Sequence, residues 1–235
     1  MFIKFALAAA AVYLIFAVFL YTTQRSLLYY PSAHVPTELE LASIGLRHWP
    51  STEGYRGFSS LVDPVNPVAT VVFFHGNASL AHDRVELAGS LLDAGFNVIL
   101  AEYPGYGQRS GAPTEAALVA DALESVRLAR DQFGLPVYLW GESLGSGVAA
   151  AVIAKLQHDT VVEGVVLQAP FSSLVDVAQH HYWYLPARWL IKDKFKSAAN
   201  LQHYTGRVAL LVAEYDNVVP ARFGYRLFES LTTDK

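Results

Sequence analysis

The stretch Val137-Tyr138-Leu139-Trp140-Gly141-Glu142-Ser143-Leu144-Gly145-Ser146-Gly147 decides how the rest of the chain is read. An apolar run with strand character ends abruptly in Gly-x-Ser-x-Gly. Small and apolar residues follow, Val148-Ala149-Ala150-Ala151-Val152-Ile153-Ala154, as a helix lying close on a sheet requires. Strand, sharp turn and helix in that order form a nucleophile elbow, with Ser143 at its tip. The serine is held in a strained backbone conformation, and the residues two before and two after it crowd together, so Gly141 and Gly145 are needed there.

Outward from the elbow, further apolar runs repeat. Ala69–Phe74, Asn97–Ala101, Val161–Gln168 and Val208–Ala213 each read as a strand covered on both faces. Helical patterns separate them: about Ala81 to Ala94, Thr114 to about Phe133, and Pro220–Leu231. Strand–helix alternation from residue 69 onward predicts a mostly parallel α/β sheet with helices on both faces and right-handed crossovers. Leu46–Trp49 and Tyr55–Leu61, parted by the turn cluster Pro50–Gly54, predict an antiparallel ribbon at its edge. Residues 172–200 differ in kind. They are dense in aromatics and cations and read as a lid-like insert. Two readings of it stay open: an apolar lid or acyl pocket whose cations face anionic headgroups, or helix packed on the sheet with a solvated cationic edge.

The chain has 235 residues, 53% hydrophobic and 16% charged, with a net charge of −4 and no cysteine. Disulfides, thiolate catalysis and cysteine-type zinc sites are thereby excluded, and no basic stripe points to nucleic acid. Part of the apolar excess is the uncharged run Phe5–Thr23. As a helix it is about 28 Å long, near the roughly 30 Å hydrocarbon core of a bilayer. It ends Phe19-Leu20-Tyr21-Thr22-Thr23, a poor cleavage site, so residues 1–24 read as an uncleaved single-span anchor and 25–235 as the main domain. Lys4 and the α-amine on one side, against Arg25 on the other, orient the main domain to the non-cytoplasmic side.

In such sheets, ligand sites lie at the carboxyl ends of the strands. Ser143 is the candidate nucleophile and needs a base to take its proton. The developing oxyanion needs preorganised donors; the backbone amides of Leu144 and Asn77, the latter in the loop His75-Gly76-Asn77-Ala78, are the candidates. Glu214-Tyr215-Asp216-Asn217-Val218-Val219-Pro220 supplies the acid: Asp216, with Glu214 as its alternative. Asp216 also suits the start of the helix that follows.

At this point the chain resembles the α/β-hydrolase superfamily, and within it the membrane-anchored serine hydrolases of the alpha/beta-hydrolase-domain (ABHD) type. The resemblance rests on Arg25–Pro31, Phe74–Ala78, Tyr103–Gly107 with Arg109-Ser110-Gly111, Gly141–Gly147, Ala169–Leu174 and Asp216–Pro220. It implies hydrolysis of an acyl ester or thioester, a lipid or lipidated protein as substrate, and no metal or organic cofactor. One departure stands out. The family's triad histidine follows a helix and a further strand after the acid, and no histidine follows Asp216 here. The last strand and the base are therefore expected beyond the end of this chain. The chain as given is then expected to be nearly inactive, with an exposed sheet edge that favours oligomers. His180 and His181, in the insert, are the alternative bases, although packing roles suit them better. His34, His48, His82, His158 and His203 have no motif context. A second class of function also fits: a catalytically dead, membrane-anchored binding module. The intact elbow and acid loop favour the hydrolase, because a binding module gains nothing from a strained serine.

Overall fold

A computed structural model describes residues 1–32, 34, 36–156 and 162–232. His158, Val161 and residues 233–235 therefore lie outside the described residues. The chain opens with helix α1 (Phe2–Leu28), which runs unbroken across residues 24 and 25. It is the one helix among the described residues long and apolar enough to cross a membrane. The short helix α2 (Glu38–Ser43) follows, its Thr37 and Glu40 forming a reciprocal cap.

Strands β1 (Leu46–Trp49), β2 (Gly57–Ser60), β3 (Ala69–Phe74), β4 (Phe96–Ala101), β5 (Val137–Glu142), β6 (Val162–Gln168) and β7 (Arg207–Leu211) form one sheet in the order β1-β2-β4-β3-β5-β6-β7. The β1–β2 and β2–β4 pairs are antiparallel, as the edge ribbon requires; β4-β3-β5-β6-β7 are parallel. Strand β3 is buried at every position. Its Val72 and Phe74 pack toward helices α4 (Glu115–Phe133) and α5 (Leu144–Lys155), while Phe73 packs with Ala88 of α3 (Val85–Asp93) on the other face. This two-sided cover is why the run carries no polar alternation.

The helices begin and end where local chemistry dictates. The Thr114 side chain accepts from the Ala117 N–H at the start of α4, and Gly134 closes it at φ +63. The pattern that begins at Ala81 starts as a 3-10 turn, Ala81–Arg84, and becomes α-helical only at Val85. The insert folds as α6 (Leu174–His181), α7 (Ala187–Leu190) and α8 (Ser197–Leu201). The last helix is α9 (Ala221–Ser230), with Pro220 before it.

Helix α5 is buried from Leu144 to Ile153 and can lie so deep only because its first turn carries no side-chain bulk. A Cβ on Gly145 would stand 2.0 Å from the Phe74 carbonyl oxygen, backbone against backbone. Gly89, inside α3, has nothing within 4 Å of such an atom. Gly89→Ala is expected to stabilise by about 0.5–1 kcal/mol by removing helix-interior glycine, a rise of roughly 2–4 °C in Tm for each kcal/mol. Gly145→Ala is expected to lower Tm or prevent folding, since neither backbone can yield. Thermal melts of the two variants in one detergent check both signs.

Candidate active site

The site is built from the carboxyl ends of β3, β4, β5 and β6. Strand β5 delivers Ser143 at φ +51, ψ −113, a region that non-glycine residues rarely adopt. Its N–H donates to the Gln168 carbonyl at 2.8 Å, and its own carbonyl accepts from the Ser146 N–H at 2.9 Å and the Ser146 hydroxyl at 2.6 Å. These bonds clamp the serine from the next strand and from the first turn of α5. A Cβ on Gly141 would stand 2.3 Å from the Gly145 carbonyl oxygen, so both glycines of the pattern are required by contact. Leu144 opens α5, and a first-turn amide has no acceptor within its own helix.

The loop after β3 lies directly against the nucleophile: a Cβ on Gly76 would be 3.7 Å from Ser143 Cβ. Asn77 follows. Its side-chain amide donates to the Leu28 carbonyl at 2.9 Å, and its carbonyl accepts from the Tyr30 N–H at 3.2 Å and the Tyr106 hydroxyl at 2.8 Å. Among the described residues, the Asn77 N–H has no acceptor.

The position of that loop depends on a pair that sequence reasoning missed. The β3–β4 register sets Phe74 opposite Ala101, so the next residues, His75 and Glu102, are neighbours. Both are buried, with His75 Nε2 2.8 Å from Glu102 Oε1. His75 Nδ1 is 2.7 Å from the Gly76 carbonyl, which can only accept, so Nδ1 is the donor in that contact. Glu102 Oε2 also accepts from the Ala81 N–H at 3.2 Å, and Tyr103 and Tyr106 pack on the imidazole with ring centroids 4.2 and 5.2 Å away. The Tyr103 hydroxyl donates to the His75 carbonyl at 2.8 Å, and burial keeps that phenol well above its ordinary pKa, so it remains a donor. The available sequence signal was a lone carboxylate at the end of an apolar strand. A second missed contact flanks the serine: Arg84 grips Glu142 through two bonds of 2.6 and 2.8 Å.

Asp216 lies in the loop after β7, at the same end of the sheet as Ser143 and two strands along. One carboxylate oxygen, Oδ1, accepts from the Val218 and Val219 N–H groups at 2.7 and 2.8 Å, shaping the approach to α9. Glu214 is exposed. His181 Nε2 is 2.9 Å from the Val218 carbonyl, and the His180 ring lies 6.0 Å from Phe223. Desolvation, with Arg222 and His181 nearby, holds His180 below its ordinary value. Among the described residues, no hydrogen bond joins Ser143 to Asp216 or to either histidine. No group of three or more histidine, cysteine or acidic residues suited to a metal is present among them either.

Removing Glu102 leaves a buried imidazole without its partner, a loss of about 3–5 kcal/mol for pairs of this kind. Glu102→Ala and His75→Ala are each expected to lower unfolding stability by that order. The double variant is expected to lose clearly less than the sum. Strict additivity in urea unfolding would show that the pair does not act as a unit.

Comparison with known proteins agrees with this geometry. The model of the "Serine aminopeptidase, S33" (Hydrolase_4) family matches residues 65–198, more than half of the chain. The lysophosphatidylserine lipase ABHD12 of Danio rerio is 32% identical over 70% of this chain and 48% of its own length. That of Mus musculus is 33% identical over 68% and 44%. The chain thus spans about half the length of these lipases. An uncharacterized protein of Mycobacterium tuberculosis, MT2364, is 31% identical over 92% of this chain and 78% of its own. Among solved structures, an alpha-beta hydrolase from Vibrio vulnificus superposes with a TM-score of 0.61 at 18% identity, covering 76% of this chain and 72% of that one. A monoacylglycerol lipase from Paleococcus ferrophilus gives 0.53 at 20% identity, over 73% and 84%. With its sheet order, its serine elbow and its family match in agreement, the chain belongs to the Hydrolase_4 family, as an α/β-hydrolase of the ABHD type.

Proposed function

We propose that this chain is a membrane-anchored serine hydrolase domain that cleaves carboxylic esters of lipids, with lysophospholipids as the first substrates to test. The observation that carries the reading is Ser143 itself, held at φ +51 with the Gly76 loop against it. In this mechanism the Ser143 hydroxyl attacks the acyl carbonyl and a general base takes its proton. The Asn77 and Leu144 amides receive the oxyanion, each such donor being worth about 3 kcal/mol in the transition state. Asp216 orients the base through its second carboxylate oxygen while the first is held by the backbone of its own loop. The base is the histidine that the family resemblance implies after the acid loop, with His180 and His181 as the alternatives within this sequence. Residues 1–24 act as the anchor and 25–235 as the hydrolase domain on the non-cytoplasmic side. The same machinery would accept a thioester or a protein-linked acyl chain, since Ser143 meets the same carbonyl. The substrate words in the relatives' names, together with the cations of the insert, support a lipid with an anionic headgroup.

A fluorophosphonate probe tests the reading. On the 235-residue chain, labelling is expected to be slower by roughly 10^4–10^6-fold than for an intact triad. Extension through the downstream reading frame is expected to restore it, and Ser143→Ala to abolish it again. An extended chain that folds but stays unlabelled would make the protein a binding module. Labelling of the 235-residue chain at an intact triad's rate, lost in Ser143→Ala, would show that another group acts as base, with His180 and His181 as the next variants to test.

A further inference from the structure

The insert is fastened along α1 over a length that matters. The Tyr13 hydroxyl donates to the Tyr184 carbonyl at 3.0 Å. Farther along the helix, Gln24 Nε2 donates to the Leu190 carbonyl at 3.1 Å, and Gln24 Oε1 accepts from the Lys192 N–H at 2.7 Å. Arg25 then meets Asp193 at 2.8 and 3.1 Å. Residues 184 to 193 thus run beside α1 in the same direction. From Tyr13 to Gln24 an α-helix rises about 16 Å, about half of the roughly 30 Å hydrocarbon core of a bilayer. If α1 crosses the bilayer as proposed above, the tip of the insert cannot stay in water.

The composition of the segment changes along that length. At its tip stand Trp183, 77% exposed, and Tyr184, 45% exposed; Trp189, 80% exposed, follows. Indole rings this exposed are unusual on a surface that meets only water, and such amphipathic rings favour the membrane interface. The exposed cations Arg188 and Lys192 lie toward the other end, with Lys192 Nζ 4.3 Å above the Tyr21 ring, where the apolar run of α1 stops. Trp183 and Tyr184 lie deep and the cations shallow, with Trp189 beside Leu190 at the level of Gln24, where an indole meets the interface.

The backbone gives an independent sign. Every carbonyl from Tyr182 to Ala187 accepts a hydrogen bond within the protein. Gln179 Nε2 reaches the carbonyls of Trp183 (3.4 Å) and Leu185 (2.9 Å), and Tyr13 reaches that of Tyr184 (3.0 Å). Those of Tyr182, Pro186 and Ala187 accept from the Leu185, Trp189 and Ile191 N–H groups at 2.9, 3.0 and 2.9 Å. Water would serve these groups at an ordinary exposed turn. Satisfied carbonyls lower the cost of bringing this turn toward hydrocarbon, while the N–H groups of Trp183, Tyr184 and Arg188 have no acceptor among the described residues and are left to the headgroup region.

We infer that the tip of the insert, residues 182–185, is immersed in the leaflet from which α1 emerges, with residues 186–192 at its interface, forming a second membrane contact. The segment continues from α6, which follows the β6 end carrying the Gln168 carbonyl that holds Ser143. The rim of the site and the acyl region of the leaflet are therefore joined by one short piece of chain. An acyl substrate would be drawn from the bilayer, without crossing water. The inference rests on the anchor reading of α1, and the test separates the two.

The natural chain has no cysteine, so single cysteines report cleanly. Val12→Cys on α1, Trp183→Cys, Trp189→Cys and Val65→Cys, the last at the opposite end of β3, are labelled with bimane. The full chain is then reconstituted in phosphatidylcholine–phosphatidylserine vesicles with and without doxyl-labelled phosphatidylcholine. All four positions are exposed, so the fold is not at stake. Loss of emission at 183 comparable with that at 12, a smaller loss at 189 and none at 65 is the expected result. Loss at 12 with 183 unquenched and open to a membrane-impermeant maleimide would overturn the inference and leave the anchor standing. No loss at 12 would overturn both.

Discussion

A serine held at φ +51 between two glycines fixes the spacing of the neighbouring elements. Such a conformation costs on the order of 1–3 kcal/mol and persists only where the surroundings over-determine it. Here the surroundings are rigid on every side. Gln168 holds the serine N–H from β6, Ser146 holds its carbonyl from α5, and Gly145 is packed against the β3 backbone. Because α5 is buried from Leu144 to Ile153, the turn cannot relax by lifting the helix away. The reactive side chain is presented by a backbone that has no alternative.

The same constraint reaches the start of the chain through polar contacts. Gly76 can approach Ser143 because His75 is seated by Glu102 and covered by Tyr103 and Tyr106. The next residue, Asn77, holds the Leu28 carbonyl and the Tyr30 N–H. The last turn of α1 is thus hydrogen-bonded to the loop proposed to receive the oxyanion. A helix that only tethered the domain would have no need of that contact.

Much of this was legible in the sequence. Strands buried on both faces write themselves as apolar runs, so β3 fell on its expected residues and β4 within one residue of them. The elbow, the antiparallel ribbon and the Thr114 cap followed from residue type and spacing. What stayed hidden depends on register. Glu102 stood in a stretch rich in turn residues, and only the pairing of Phe74 with Ala101 brings it to His75. The helical pattern from Ala81 gave no sign of its 3-10 opening, where the Leu80 N–H is held by Asp83 at 2.8 Å. The rings and cations of the insert were visible, but two readings of them remained open. Their order along α1 appears only once Tyr13, Gln24 and Arg25 are seen to hold successive points of the same segment.

That fastening is electrostatic as well as geometric. Asp193 is buried, and its carboxylate takes two bonds from Arg25 and one, at 3.1 Å, from the Glu115 N–H. Glu115 answers by accepting from the Lys194 and Phe195 N–H groups at 2.6 and 3.0 Å. A buried carboxylate deprived of its partners is costly, so α1, the insert and the start of α4 resist separation as a unit. The domain therefore does not swing freely on α1. Its angle to the helix is set by charge pairing at Arg25 and by Asn77 at Leu28. A lipid surface that fixes α1 then also fixes which end of the sheet faces it.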